Sequence, residues 1–239
     1  MNKSKGIIYY TNNNIDRTIA SAVMDFIFEA NLPIWSASLQ PIRFGDNVVF
    51  EGKSGYPMMV RQIISCLERA NTDVVFFCEH DVLYHSSHFS FTPEKDDTFY
   101  YNLNSWRWDY PQDRLIHYDN LISLSQLCVN RKLALEHYLK RLDAISKLPP
   151  DTFESKEPKQ VRIWGYEPGR KTVTSGGFSE EKSEIWSSKY PNIDIRHDKT
   201  FSPRKTTLES FKHSPTGWEE KKLNDIPGWN IREIFNLWS

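Results

Sequence analysis

The sequence predicts an α/β protein with a mixed, mostly parallel sheet flanked by helices. In the first eighty residues, short β-branched or aromatic runs alternate with longer stretches whose apolar residues recur at helical spacing. Hydrophobic residues make up 39% of the 239 residues and aromatic residues 14%, which is enough for a packed core. We therefore expect one domain over residues 1–239.

The chain begins with the pattern of a strand, a turn and a helix. Residues 6–10 form a buried-strand run that stops at Thr11-Asn12-Asn13-Asn14. Asp16 is a suitable N-cap for the helix that follows, and Asn31-Leu32-Pro33 ends that helix. The apolar face of this helix comprises Ile19, Val23, Phe26, Ile27 and Ala30.

A second strand, helix and strand are predicted next. Residues 34–39 favour a short strand, and the glycine-rich residues 40–56 favour a loop or small hairpin. Pro57 suits the first turn of a second helix. The apolar run at residues 73–78 predicts a central strand, which ends at Glu79-His80-Asp81.

Beyond residue 88 the pattern is less regular. We expect strands at residues 99–103, 115–118 and 122–129, and a helix at residues 131–145 with Asn130 as its N-cap. From residue 151 onward, Gly, Pro, Ser and Lys increase, yet five of the eight tryptophans lie there. This predicts an irregular but ordered C-terminal region.

Composition excludes several classes of protein. The 30 basic and 31 acidic residues give a net charge of -1, which argues against a histone-like polyanion binder. The longest apolar runs are about five residues, against the ~18 to 20 needed for a transmembrane helix. The apolar stretch near the N-terminus is likewise shorter than the apolar core of a signal peptide. The three cysteines are few and have apolar neighbours, so we expect them reduced and buried in a cytoplasmic protein.

Two loops are candidates for a functional site. Ligands of open α/β sheets bind beyond the carboxyl ends of the strands, where residues 11–16 and 79–88 are predicted to meet. The second loop, EHDVLYHSSH, holds two carboxylates and three imidazoles in ten residues. Such groups directly after an apolar strand favour a compensating cation or ligand, although a surface turn without a function stays open.

The motifs that are absent narrow the choice of ligand. The sequence has no G-x-x-x-x-G-K-[ST], no G-x-G-x-x-G after the first strand and no G-x-S-x-G. A carboxylate with an imidazole suits Mg²⁺ or Mn²⁺, which keep waters and phosphate oxygens as further ligands. That combination favours a nucleoside diphosphate.

In the order of its elements and in the acidic triplet after the apolar strand, the chain resembles a GT-A-type, family 2-like nucleotide-sugar glycosyltransferase. Glu79-His80-Asp81 is similar to that family's D-x-D motif, with Glu in place of the first Asp. The resemblance implies a GT-A-like fold with a nucleotide-sugar-binding half at residues 1–88 and an acceptor-side half at residues 89–239. It covers residues 6–145 in order and the rest more loosely.

The resemblance also implies roles for individual residues. The nucleotide-sugar donor would contact Thr11, Asn12, Asn13 and Glu79, and Asp81 would hold Mn²⁺ or Mg²⁺ with His197 as a late ligand. Glu167 would be the general base, with Asp109 and Asp119 as competitors. The basic residues Lys199, Arg204 and Lys205 would neutralise the leaving diphosphate, or belong to a solvated loop.

The implied activity is metal-dependent transfer of a hexose or pentose to an acceptor hydroxyl. The acceptor would be a glycan, a lipid-linked sugar or a modified DNA base. Two alternatives stay open at this stage. One is a metal-dependent hydrolase or phosphoesterase that uses the Glu79–His88 cluster, in particular His80, Asp81, His85 and His88. The other is a non-catalytic module that binds a nucleotide-sugar.

Overall fold

The computed structural model describes residues 3–155, 158–170, 178, 180–200 and 202–235. A seven-stranded sheet forms its centre, in the order β10-β6-β9-β4-β1-β2-β3. Its strands are β1 (Lys5–Tyr10), β2 (Ile34–Ser38), β3 (Asp46–Val49), β4 (Val74–Glu79), β6 (Thr98–Asn102), β9 (Leu127–Asn130) and β10 (Lys182–Trp186). Four of its six strand pairs are parallel, and β9 is antiparallel to both neighbours. The predicted mixed, mostly parallel sheet is therefore confirmed.

Helices cover both faces of this sheet. They are α1 (Arg17–Phe28), α2 (Tyr56–Arg69), α3 (Arg131–Ser146), α4 (Lys159–Trp164) and the short α5 (Ile231–Ile234). The predicted caps are present: the side chains of Asp16 and Asn130 accept hydrogen bonds from the first-turn amides of α1 and α3. Pro57 lies in the first turn of α2, as expected.

A second sheet of five strands lies beyond the end of β4. Its order is β12-β8-β7-β11-β5, with β5 (Val82–Leu83), β7 (Ser105–Trp108), β8 (Leu115–His117), β11 (Asn192–Ile195) and β12 (Glu219–Lys221). Strand β5 follows Asp81 directly and pairs antiparallel with β11. Within the described residues, the C-terminal region expected to be irregular contributes two short strands, β11 and β12, to this sheet.

Two expectations about individual elements were wrong. Residues 40–56 contain β3, which pairs parallel with β2 and so is no hairpin partner. The strand expected at residues 122–129 begins only at Leu127, because Leu124–Gln126 form a 3₁₀ turn.

The core is divided by the central sheet into two clusters. On one side, α1 packs with Ile19, Val23 and Ile27 against the sheet and against residues of the second sheet. On the other side, α2 and α3 cover Ile8, Val75 and Phe77. No described helix is long and apolar enough to cross a membrane.

Candidate functional site

A pocket of about 350 Å³ opens where β1, β4 and β11 end. Seven of the twelve residues to which the resemblance gives a role line it: Thr11, Asn12, Glu79, Asp81, Glu167, Lys199 and Lys205. The walls also include the N-terminal end of α2, the 3₁₀ turn before β9, and the segment that follows β11. The carboxyl ends of parallel strands therefore border the pocket, which is where open α/β sheets bind ligands.

The candidate metal ligands come together from distant parts of the chain. The ligand atoms of His80, Asp81 and His197 all lie within 4.8 Å of one another. Asp81 Oδ2 is 3.8 Å from His197 Nε2. A backbone hydrogen bond of 2.7 Å from Ile195 N–H to the Asp81 carbonyl fixes β11 beside the triplet. This contact brings His197, two residues further along, to Asp81.

The chemistry of this group fits a cation. Asp81 and His197 are both buried, and burial raises the pKa of the carboxyl and lowers that of the imidazole. In the described part of the chain, His197 is the only basic side chain within 4.0 Å of the Asp81 carboxylate, and its Nε2 has no hydrogen-bond partner. A divalent ion would satisfy both groups.

His80 connects the triplet to the first loop. Its Nδ1 is hydrogen-bonded to Thr11 Oγ1 at 2.5 Å, and burial lowers the pKa of the ring to about 4. Thr11 Oγ1 also accepts a hydrogen bond from the Asn13 amide at 2.9 Å. The loop after β1 and the triplet after β4 are therefore one hydrogen-bonded unit.

Glu79 faces the pocket beside this group. It accepts a hydrogen bond of 2.7 Å from the Tyr10 hydroxyl. Its burial, and then the charge of Asp81, raise the pKa of the Glu79 carboxyl.

Asp194 and two arginines extend the charged floor of the pocket. Arg107 Nε lies 3.4 Å from Asp194 Oδ2, and Arg196 Nη1 lies 3.2 Å from Asp194 Oδ1. Arg107 also donates a 2.7 Å hydrogen bond to the Tyr118 hydroxyl. Arg107 was missed in the sequence, although one signal was present: it stands between two tryptophans in the strand SWRW.

Five residues with a predicted role do not line the pocket: Asn13, Asp109, Asp119, His197 and Arg204. His197 lies behind the pocket lining, where its imidazole is 3.8 Å from the carboxylate of Asp81. The Asn13 side chain accepts hydrogen bonds from the amides of Leu39 and Gln40, so it ties the first loop to the end of β2. Asp109 is ion-paired with Arg114 at 2.6 Å and Arg204 at 2.7 Å, away from the pocket.

The cluster proposed for a hydrolase is not assembled. His88 is buried among Asn102, Asn192 and aromatic rings, and His85 contacts Ser87 and Tyr190. Only His80 and Asp81 of the four reach the candidate metal group. The structure thus gives this alternative no support.

Comparison with known protein families and with curated proteins finds no match. Among solved structures, the chain is similar to S. aureus TarS in complex with UDP-GlcNAc (10% identity, TM-score 0.45, 83% of this chain). It is also similar to the glycosyltransferase GlyE of Streptococcus pneumoniae (11%, 0.39, 62%). A third similar structure is a Drosophila β-1,4-galactosyltransferase 7 with manganese, UDP-Gal and xylobiose (15%, 0.35, 57%).

The chain spans 60%, 40% and 51% of the lengths of these three structures, respectively. GT-A-type glycosyltransferases are thus among the folds to which it is similar, as the sequence resemblance predicted.

Proposed function

We propose that the protein is a metal-dependent glycosyltransferase that moves a sugar from a nucleotide-sugar donor to an acceptor hydroxyl. The observation that carries this proposal is the convergence of Asp81 and His197 at the edge of a pocket lined by polar loops. A buried carboxylate beside an imidazole whose Nε2 has no hydrogen-bond partner in the described structure is suited to an ion that a diphosphate would share.

Asp81 and His197 would hold Mn²⁺ or Mg²⁺, with His80 as the third group within reach. When bound, the ion would neutralise charge on the diphosphate of the donor. The mixed oxygen and nitrogen donors favour Mn²⁺ over Mg²⁺, which prefers oxygen ligands alone.

The donor would lie between the first loop and the segment after β11. Thr11, Asn12 and Glu79 line one wall and offer hydrogen-bonding groups to a nucleoside or sugar. Lys199 and Lys205, on the segment after β11, also line the pocket and are exposed, so they are placed to attract the negative charge of phosphates.

Glu167 would act as the general base on the acceptor hydroxyl in an inverting transfer. Its carboxylate is on the pocket wall formed by the turn after α4, and burial raises its pKa above the ordinary value for glutamate. A carboxylate whose pKa is closer to neutral is a better proton acceptor. Asp109 is a weaker candidate because two arginines already bind it.

The aromatic residues of the pocket are suited to bind the acceptor. Tyr118, Ile122 and Tyr166 give the pocket a partly aromatic lining, which suits the flat faces of a sugar or a base. A glycan, a lipid-linked sugar and a modified DNA base all fit this description.

The test is calorimetry with UDP, GDP, CDP, dTDP and AMP, each in Mn²⁺ and in EDTA. We expect one nucleoside diphosphate to bind only with the metal, and Asp81→Asn and His197→Gln to lose that binding. His213→Gln is the matched control, because His213 is exposed and outside the pocket. Metal-independent binding, or equal binding by the Asp81 variant, would contradict the proposal.

Chemistry is tested separately with the nucleotide-sugars of the base identified by calorimetry. We expect the wild-type protein to release nucleoside diphosphate in Mn²⁺. Glu167→Gln should keep donor affinity and lose roughly 10²-fold in rate, the scale of a general base. Full activity of Glu167→Gln would show that another residue is the general base. If the wild-type protein released no nucleoside diphosphate, the glycosyltransferase proposal would be wrong and the protein would be a binding module.

A further inference from the structure

The segment that carries Glu167 lies between two glycines with positive φ. Helix α4 ends at Gly165 (φ 70°), and Gly169 (φ 75°) closes the turn. A Cβ on Gly169 would lie 2.6 Å from the carbonyl oxygen of Lys182, so this position requires glycine. We call residues 165–169 the Glu167 loop.

Side chains bind the backbone of this loop at both ends. At its start, Arg141 Nη1 donates a 2.6 Å hydrogen bond to the Gly165 carbonyl. At its end, the Gly169 amide donates to Glu181 Oε2 at 3.3 Å. Two further bonds hold the same end: Tyr101 OH to the Pro168 carbonyl (2.7 Å) and Ser183 Oγ to the Gly169 carbonyl (2.9 Å).

His137 joins the two ends of the loop into one chain of hydrogen bonds. Arg141 Nε donates to His137 Nε2 at 2.5 Å, so that nitrogen must carry a lone pair. The proton is then on Nδ1, which donates to Glu181 Oε1 at 2.5 Å. Arg141 and His137 lie one turn apart on the buried face of α3.

A buried arginine is a costly way to stabilise a core, because well-packed apolar residues often do as well or better. Arg141 is only 1% exposed, and besides His137 and Gly165 it binds the Tyr56 hydroxyl at 2.7 Å. Fully satisfied networks of this kind fix one arrangement of the groups they connect. Here the groups are the two ends of a five-residue loop whose middle residue faces the pocket.

We propose that Arg141, His137 and Glu181 are positioning residues that hold the Glu167 carboxylate at the pocket by clamping both ends of its loop. This proposal rests on the proposed function, in which Glu167 accepts the proton of the acceptor. A displacement of a reacting group by about 1 Å can cost ~10²-fold in rate without a loss of binding.

The test compares two variants that remove hydrogen bonds to the Glu167 loop with a matched control. Glu181→Ala removes the acceptor of both Gly169 N–H and His137 Nδ1–H from a partly exposed position, and Tyr101→Phe removes one loop bond without changing shape. Tyr138→Phe is the control, because this buried neighbour of His137 has a hydroxyl with no hydrogen-bond partner in the described structure.

We expect Glu181→Ala and Tyr101→Phe to lower kcat by about 10-fold or more while the donor Kd stays within about twofold. Glu181→Gln, which keeps an acceptor oxygen, should recover part of the rate. Hydrogen exchange of the Gly169 amide should be faster in Glu181→Ala. Tyr138→Phe should match the wild-type protein in all three measurements.

Faster exchange in Glu181→Ala with an unchanged kcat would overturn the positioning role and leave the proposed function in place. A fall in donor affinity equal to the fall in kcat would also overturn it. Absence of turnover in the wild-type protein would instead remove the proposed function, and this proposal with it.

Discussion

Arg196 contacts both carboxylate oxygens of Asp194 through one guanidinium nitrogen, at 3.2 and 3.4 Å, in the buried floor of the pocket. The same guanidinium donates to the carbonyls of Ser202 and Pro203. Arg196 therefore fixes the course of the chain after β11, where Lys199 and Lys205 line the pocket. Asp194 supplies the charge that makes this buried arginine tolerable.

Asp194→Asn should destabilise the protein strongly. It would leave Arg196 and Arg107 buried with less compensating charge, which costs about 3–5 kcal/mol when one partner of a buried pair is removed. Urea denaturation measures the loss. Asp143→Asn is the control, because its ion pair with Lys147 is exposed and such pairs are worth ~1 kcal/mol or less. Similar losses for both variants would contradict the buried-pair interpretation.

Burial of His88 should make stability depend on pH. Its Nδ1 accepts hydrogen bonds from Asn102 and Asn192, and burial lowers its pKa to about 3. The unfolded chain binds a proton near pH 6.5 and the folded chain does not, so stability falls as pH falls below 6.5.

When the pH is lowered from 7 to 5, this histidine should reduce the free energy of unfolding by about 2 kcal/mol. Denaturant unfolding of the wild-type protein and of His88→Gln at both pH values gives the difference. An equal pH dependence in both proteins would show that His88 is already charged in the fold or exposed.

Glu79 and Asp81 should differ in their effect on metal binding. Asp81 belongs to the group with His80 and His197, whereas Glu79 is engaged by the Tyr10 hydroxyl. We expect Asp81→Asn to weaken Mn²⁺ affinity by ~10-fold or more, and Glu79→Gln to change it by about threefold at most. Calorimetry with Mn²⁺ alone distinguishes the two, and equal losses would place both carboxylates on the ion.

The cysteines should be unreactive in the folded protein. Cys66, Cys78 and Cys128 are all free and buried, as the sequence predicted. Burial raises the pKa of Cys66 to about 12 and those of the other two well above the usual value, so few thiolates are present at pH 8. An aromatic disulfide reagent should detect no thiol before unfolding and three after it. Rapid reaction of one thiol in the native protein would show local opening.

The sequence allowed the N-terminal half of the fold to be predicted because its signals are local. The runs at β1 and β4 and the caps Asp16 and Asn130 each depend on neighbouring residues. The second sheet could not be predicted in the same way. Its strands are only two to four residues long, and some pair with segments far away in the sequence, as β11 does with β5 and β7.

The residues of the candidate site could likewise be predicted only in part from the sequence. Glu79 and Asp81 were placed by the apolar strand before them, and Glu167 and His197 by resemblance. Arg107 was missed because its partner in the pocket, Asp194, is on a distant strand. The two residues meet only through the pairing of β7 with β11. Asp109 looked available in the sequence, since nothing local indicates that Arg204 reaches it.

Asp81 lies where the chain passes from β4 of the first sheet to β5 of the second, and its carbonyl accepts a hydrogen bond from Ile195 of β11. An ion at Asp81 and His197 would bind only when both sheets are formed and paired. Its binding free energy would then add to the stability of the whole chain, since a ligand that binds only the folded state shifts global unfolding. The melting temperature of the entire protein would then rise with the concentration of free Mn²⁺, and chelation of the ion would destabilise both sheets together.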